Sequence, residues 1–145
     1  MKCLLQRVKE AKVEINGQIH GQIAHGLLAF ICAEPDDTPE TIKKAVDKIL
    51  NLRIFNDPDD KMNLSLKQVE GGLLVVSQFT LAADTSRGNR PGFSNAANPA
   101  LGETLYEQFL SYAKSQHPVV ECGEFGADMQ VHLINDGPVT IPMTF

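Results

Sequence analysis

The chain has 145 residues, 43% of them hydrophobic, which suits a single domain spanning residues 1–145 with a proper core and no linker. Its formal net charge of −5 argues against indiscriminate nucleic-acid binding through a broadly basic surface and leaves room only for a small local basic patch that meets one end of an RNA. Affinity for a ligand is therefore expected to come from a pocket.

The cysteines and the N-terminal residues indicate the compartment. Cys3, Cys32 and Cys122 are widely separated and form no C-x-x-C pair, so we expect free thiols in a reducing environment. The N-terminus meets charge too early for a signal peptide, and no apolar run approaches the roughly 18 residues of a membrane span. These features predict a soluble, cytoplasmic protein that does not associate with membranes.

The first half of the chain predicts a hairpin, a third strand and a helix. Residues 2–15 and 18–23 read as two strands joined by the turn Asn16-Gly17, and residues 26–33 form an apolar run typical of a buried strand. Thr38 is suited to cap a helix with Pro39 in its first turn, and apolar residues at helical spacing predict an amphipathic helix over residues 39–51. Shorter extended pieces are predicted at residues 53–55 and 63–66.

The stretch from residue 73 to residue 91 is the most informative part of the chain. Residues 73–76 are continuously apolar, which predicts a strand buried on both faces, and Ser77-Gln78-Phe79-Thr80 place polar groups in its extension. A polar loop with Arg87 and Arg90 follows. A buried strand that turns polar as it enters a charged loop is typical of a ligand site.

The C-terminal third predicts one more helix and three strands. Asn98 and Pro99 begin a helix that ends near residue 115, and strands are expected at residues 119–122, 129–134 and 139–145, the last two separated by a turn at 135–138. Two helices among many strands indicate an α+β domain. We expect a curved, mostly antiparallel, barrel-like sheet packed against the two helices.

The residue types exclude several kinds of catalysis. Ser77 and Thr80 are candidate nucleophiles, yet nothing in the sequence ties a histidine to either one as a base, and no spacing suits zinc. The remaining possibility is stabilisation of an oxyanion by backbone N–H groups at the strand exit. This suffices when the substrate carries an activated acyl group and its own assisting hydroxyl, as an aminoacyl ester on a ribose does.

Two motifs carry a family resemblance. The segments SQFTL at residues 77–81 and NDGPVT at residues 135–140, with QRV at 6–8 and ADMQV at 127–131, closely resemble the D-aminoacyl-tRNA deacylase (D-tyrosyl-tRNA deacylase) family. The resemblance spans essentially the whole chain, in the same order and at similar spacing. It implies a homodimeric hydrolase without metal or organic cofactor that frees D-amino acids from mischarged tRNA, with no DNA partner.

The resemblance also implies roles for individual residues. Ser77, Gln78, Phe79 and Thr80 would line the pocket for the aminoacyl group, with N–H groups near Phe79 and Thr80 facing the scissile carbonyl and Gln78 holding the substrate. The role of Thr80 has two possible readings. It could act as the nucleophile, or the ribose hydroxyl of the tRNA could assist the reaction while Thr80 takes no part in it. Two roles are possible for Arg87 and Arg90. They could simply be solvated residues of the loop, or they could contact the tRNA backbone.

A second group of residues is implied to read chirality. Gly137-Pro138 would form a cis peptide, braced by Arg7, that enters the pocket of the other subunit, while Phe125 and Met129 would wall the terminal adenosine. Backbone carbonyls at the α-carbon would collide with an L side chain, whereas a D side chain would point away. Glycine should pass the same filter, which predicts activity on glycyl-tRNA mischarged on tRNA(Ala).

Two other functions stay open on the sequence. The chain is also compatible with a hydrolase of other activated acyl esters that uses Thr80 as a covalent nucleophile. A non-catalytic module of the same fold that binds a tRNA end or associates with DNA is the alternative from a different class.

Overall fold

A computed structural model describes residues 1–145. Its strands are β1 (Lys2–Ile15), β2 (Gln18–Ile23), β3 (Gly26–Cys32), β4 (Phe55–Asn56), β5 (Met62–Leu64), β6 (Gly72–Ser77), β7 (Val120–Cys122) and β8 (Gln130–Thr144). The helices are α1 (Pro39–Asn51) and α2 (Pro99–Gln116), and a 3₁₀ turn covers Phe79–Ala82. Neither α-helix combines the length and the hydropathy that a membrane crossing requires.

Six of the strands form one mixed sheet. The order is β2-β1-β3-β6-β7, and β8 pairs with β1 outside this path. The long strand β1 runs antiparallel to β2, β3 and β8, whereas β6 runs parallel to both β3 and β7. The two ends of the order approach each other, since a Cβ atom added at Gly21 of β2 would lie 2.6 Å from the carbonyl oxygen of Cys122 in β7. The sheet is therefore a nearly closed barrel, and the predicted α+β fold with a curved, mostly antiparallel sheet and two helices is confirmed.

The core has two parts because the sheet buries both of its faces. Twenty buried residues join one face to the apolar sides of α1 and α2, and seven more fill the inside of the barrel. Residues 73–76 of β6 are fully buried between these clusters, which explains why their sequence is apolar without alternation. Helix α1 begins as predicted, with the Thr38 side chain accepting a hydrogen bond from the Thr41 N–H and Pro39 in the first turn.

Several predicted boundaries are wrong. Residues 129–134 and 139–145 are not two strands separated by a turn, because β8 runs without a break from Gln130 to Thr144. Residues 135–138, which were predicted to form the turn, lie instead where the register between β1 and β8 shifts on either side of Val8. Proline is tolerated in a strand at such an irregularity because its missing N–H breaks no ladder bond there. The short strands also move, from 53–55 to Phe55–Asn56 and from 63–66 to Met62–Leu64.

The end of β6 differs from the prediction as well. The sequence suggested that residues 78–80 extend the strand, but the strand ends at Ser77 and the backbone turns into the 3₁₀ segment. This turn begins with Phe79 and Thr80. Their N–H groups thus come at the start of a helical turn, where N–H groups have no partner within the turn itself.

A close contact between two glycines fixes β3 beside β6. Gly26 pairs with Gly72 in the parallel register, and a Cβ atom on Gly26 would collide with the Gly72 carbonyl and lie 2.7 Å from its nitrogen. Only glycine at position 26 lets the two backbones meet at this distance. The position of β6, and of everything that follows Ser77, depends on this contact.

We expect Gly26→Ala to lower the free energy of unfolding by about 3 kcal/mol, because the added methyl group meets backbone that has no room to move. Urea denaturation followed by circular dichroism measures the change. Gly92→Ala is the matched control, since its added Cβ would have no neighbour nearer than 3.9 Å. Equal stabilities of the two variants would contradict the assigned role of the glycine contact.

Candidate active site

A cavity of about 650 Å³ opens where β6 ends. Four segments enclose it: residues 76–79 at the strand exit, 93–99 before and at the start of α2, 125–129 in the loop after β7, and Val131 of β8. Nine of its 14 lining residues are hydrophobic. Its size and apolar walls are those of a site for a small molecule or for the end of a larger one.

The structure brings together five of the predicted site residues. Ser77, Gln78, Phe79, Phe125 and Met129 all line this cavity, although they come from two segments nearly 50 positions apart in the sequence. Thr80 is not among the lining residues. It lies immediately beside them, and the Gln78 side-chain amide donates a hydrogen bond of 2.6 Å to the Thr80 hydroxyl.

Neighbouring backbone holds the strand exit in place. The Gln78 N–H donates to the carbonyl of Ile31 at 2.8 Å, which continues the pairing of β6 with β3 to the residue just before the turn. The N–H groups of Phe79 and Thr80 donate none of the hydrogen bonds that the chain makes in turns, loops and caps. Two adjacent N–H donors at the edge of an apolar cavity can stabilise a negative charge that develops on a substrate oxygen.

Tyr106 of α2 ties the two walls of the cavity together. Its hydroxyl lies 3.0 Å from the carbonyl oxygen of Val75 in β6 and 3.2 Å from that of Gly123, where the second wall begins. Burial raises the pKa of Tyr106 well above its ordinary value, so the hydroxyl remains a neutral donor. The Tyr106 ring also packs against Phe125, with ring centroids 5.9 Å apart.

No lining residue of this cavity has a titratable side chain. The polar lining groups are Ser77, Gln78 and Asn98, together with the backbone. No group of three or more His, Cys, Asp or Glu residues is arranged to hold a metal ion. From this chain alone, the cavity can therefore offer hydrogen bonds and shape, but no general acid or base.

Cys3 and Cys32 do not provide a nucleophile. All three are free, as predicted, and desolvation raises the pKa of the Cys3 thiol to about 12. Cys32 is nearer the site, with its sulfur 3.5 Å from the Phe79 carbonyl oxygen, and burial raises its pKa too. Both thiols are therefore unreactive at neutral pH.

The predicted chirality-reading residues lie away from this cavity. The Gly137–Pro138 peptide bond is cis, and both residues are exposed. Arg7, only 7% exposed, donates through Nε to the Asp136 carbonyl and through Nη1 to the Ile54 carbonyl, each at 2.9 Å. Neither Arg7 nor Gly137-Pro138 lines the cavity of the same chain, so a single chain does not unite them with residues 77–80.

Comparison with known proteins identifies the family. The family described as D-Tyr-tRNA(Tyr) deacylase matches residues 4–144. A D-aminoacyl-tRNA deacylase of Pseudomonas fluorescens (strain Pf0-1) is 61% identical over 140 residues, which cover 97% of each chain. The chain belongs to the D-aminoacyl-tRNA deacylase family. It is an enzyme, like the similarly named relative of Methylibium petroleiphilum, which is 58% identical over 143 residues that cover 99% of this chain and 94% of the relative.

Solved structures agree on the fold of the family. A structure titled "c-Myc DNA Unwinding Element Binding Protein" superposes with a TM-score of 0.95 at 36% identity, covering 100% of this chain and 99% of the other. A probable eukaryotic D-amino acid tRNA deacylase superposes with a TM-score of 0.86 at 20% identity, covering 98% and 97%. The second similarity concerns the fold alone.

Sequence reasoning missed one wall of this cavity. Phe93 lines it and packs edge-on against Phe79, with ring centroids 5.1 Å apart and an interplanar angle of 72°. An aromatic residue between Gly92 and Ser94, directly after a polar loop, was an available signal because loops rarely need an exposed phenylalanine. The sequence alone did not show that this residue faces residues 77–79.

We expect Tyr106→Phe to lower the free energy of unfolding by about 1–2 kcal/mol, because it removes a buried hydroxyl that joins two backbone carbonyls. Catalytic activity should also fall, since the 123–129 wall loses its tie to β6. Tyr112→Phe is the matched control: its hydroxyl contacts Asp47 on the surface, and its loss should change stability by less than about 0.5 kcal/mol. Chemical denaturation and deacylation rates measure both effects.

Proposed function

We propose that the protein hydrolyses the ester of D-aminoacyl-tRNA, releasing the free D-amino acid and the tRNA, as a proofreading enzyme of the cytoplasm. The observation that carries this proposal is a cavity with two backbone N–H donors at its edge and no titratable side chain within it. Such a site suits a substrate whose acyl group is already activated toward hydrolysis, as the acyl group of an aminoacyl ester is. The family membership of the chain supports the same substrate.

The two walls of the cavity suit the two parts of an aminoacyl-adenosine. The aminoacyl group would lie along residues 77–79, with its carbonyl oxygen facing the N–H groups of Phe79 and Thr80. The adenosine would lie against Phe125 and Met129, which present a ring and a thioether to the cavity. Stacking on an aromatic ring is a common way to hold a base without reading its sequence.

The chemistry would come from the RNA. The neighbouring hydroxyl of the ribose assists the attack of water on the ester carbonyl, and the two N–H groups stabilise the oxyanion that forms. The Thr80 hydroxyl already accepts a hydrogen bond from Gln78, and no base contacts it. Thr80 would therefore position Gln78 rather than act as the nucleophile.

Chirality would be read across a homodimer. Gly137 and Pro138 are exposed on the surface of the chain while Arg7 holds the preceding residue from within, so this segment is available to enter the cavity of a second subunit. Carbonyl groups placed at the α-carbon would exclude L side chains and admit D side chains and glycine. The filter works by exclusion, and it does not depend on the identity of the side chain.

A DNA-associated role is the second candidate, because the structural relative with a TM-score of 0.95 has a title that names it a DNA unwinding element binding protein. A net charge of −5 weakens this candidate, since duplex binding generally depends on a basic surface. The cavity also has no evident use in binding a duplex. A binding module would shield an aminoacyl ester rather than cleave it.

The principal test compares three esters on tRNA. D-tyrosyl-tRNA, L-tyrosyl-tRNA and glycyl-tRNA are incubated with the enzyme, and loss of the ester is followed over time. We expect D-tyrosyl and glycyl esters to be hydrolysed and the L-tyrosyl ester to be spared by a factor of at least about 100, the scale of a steric rejection worth about 2.7 kcal/mol.

The outcomes of this test separate the candidates. Protection of all three esters would favour the binding module. Hydrolysis of the D ester with none of the glycyl ester would contradict exclusion as the basis of selection, because glycine has no side chain to exclude.

We expect Thr80→Ala to retain deacylation within about tenfold of the wild type, whereas a tRNA whose terminal adenosine lacks the 2′-hydroxyl should lose at least about 100-fold, because its assisting group is gone. Single-turnover rates measure both changes. Thr80→Ser, which keeps the hydroxyl, is the matched control. A near-complete loss in Thr80→Ala with rescue by serine, together with a trapped acyl-enzyme, would instead support Thr80 as a covalent nucleophile.

A further inference from the structure

The polar loop at residues 84–92 is fastened to the edge of the cavity. Asp84 and Gly92 exchange two backbone hydrogen bonds, of 2.7 and 2.9 Å, which close the base of the loop. The next residue, Phe93, packs edge-on against Phe79 of the site. The loop therefore has a defined position beside the cavity, although its tip is exposed.

The loop has two positive charges without partners. Arg87 and Arg90 are exposed, and neither guanidinium forms a hydrogen bond or an ion pair within the chain. Asp84 is the only acidic residue of the loop, and its carboxylate already accepts the Ser86 N–H at 2.9 Å. Hydrogen bonds from the Ser86 side chain and backbone lower the pKa of Asp84, so it remains ionised and fixed in this turn.

The aromatic pair at the same edge is incompletely covered. Phe79 is 57% exposed and Phe93 is 36% exposed, although both line the cavity. Two adjacent accessible rings and a neighbouring loop with two arginines form the combination that proteins use to hold single-stranded nucleic acid: bases stack on the rings, and cations meet the phosphates.

We propose that Phe79, Phe93, Arg87 and Arg90 form a rim subsite for the nucleotide that precedes the terminal adenosine. Its base would stack on the exposed aromatic pair, and its phosphodiester would meet the arginines. This inference rests on the proposed function, because only an RNA whose 3′ adenosine fills the cavity would place the preceding nucleotide at the cavity's edge.

Charge favours this exit over the opposite one. The loop on the other side of the cavity has exposed carboxylates at Glu124 and Asp128, which repel a phosphate, and no lysine or arginine lies between residues 115 and 145. The 84–92 loop offers two arginines against a single carboxylate, that of Asp84, which the Ser86 N–H holds within the turn. The RNA would therefore leave the cavity on the side of Arg87 and Arg90.

The test compares a substrate that reaches the rim subsite with one that does not. D-tyrosyl-tRNA extends beyond the terminal adenosine, whereas the D-tyrosyl ester of adenosine ends there. For the double variant R87A/R90A, we expect the ratio of kcat/KM on the tRNA to kcat/KM on the adenosine ester to fall about tenfold. Phe93→Leu, which keeps an apolar side chain but removes the ring, should lower the same ratio.

Salt dependence gives a second readout of the arginines. The slope of log kcat/KM for the tRNA against log salt should become shallower in R87A/R90A by about 0.7 for each phosphate that the variant no longer neutralises. The matched control is K43A/K44A, which removes two exposed lysines from α1 that line a separate groove sharing no residue with the cavity. Its ratio and slope should equal those of the wild type.

Each outcome decides the proposal. An unchanged ratio of the two kcat/KM values in both R87A/R90A and Phe93→Leu would overturn the rim subsite. If the ratio fell equally in K43A/K44A, the effect of the arginines would be one of general charge, which would also overturn the subsite. If the wild type hydrolyses neither ester, the proposed function fails, and binding of the single-stranded RNA CCA decides the subsite separately. Weaker binding of CCA to R87A/R90A than to the wild type would support it, and equal binding would overturn it.

Discussion

The parallel pairing of β3 with β6 is the constraint on which the site depends. Both strands are buried on both faces, and the glycine contact at their first pair, Gly26 with Gly72, brings them together. From there the ladder runs to the pair of Ile31 with Ser77 and continues in the hydrogen bond from Gln78. The N–H groups of Phe79 and Thr80 thus follow directly from a buried, hydrogen-bonded ladder. The proposed mechanism depends on this placement, because an oxyanion gains most from donors that do not have to move.

The sequence predicted the parts of the molecule that follow from local patterns. Thr38-Pro39 and Asn98-Pro99 identified both helix starts, and Asn16-Gly17 identified the hairpin, because caps and two-residue turns are determined by neighbouring residues. Residues 135–138 misled for the same reason. Their composition is that of a turn, and residues 136–139 indeed have no pairing partner on β1. The strand β8 continues past them because the residues on both sides pair with the same long strand β1, more than 120 positions away.

The site residues divide in the same way, into those found from local sequence patterns and those whose roles depend on distant parts of the chain. The SQFTL and NDGPVT segments were recognised by resemblance, and the structure groups residues 77–79 with Phe125 and Met129 around one cavity. Tyr106 and Phe93 were missed because their roles depend on distance in space. Tyr106 reads as one more apolar position on α2, and its function appears only when the carbonyls of Val75 and Gly123 are seen to meet its hydroxyl.

Arg7 shows how the fold keeps the 135–138 segment in place without burying it. A buried guanidinium is costly unless its donors are satisfied, and here the carbonyls of Asp136 and Ile54 and the Asn56 side chain accept from it. Arg7 stands between the residues of β1 where the register with β8 shifts, so its side chain fills the irregularity that the segment creates. Arg7 reaches these three acceptors through two separate nitrogens, Nε and Nη1, whereas a lysine has only one nitrogen. The exposed pair Gly137-Pro138 is therefore held from its buried side by Arg7, and its outer face remains free for another molecule.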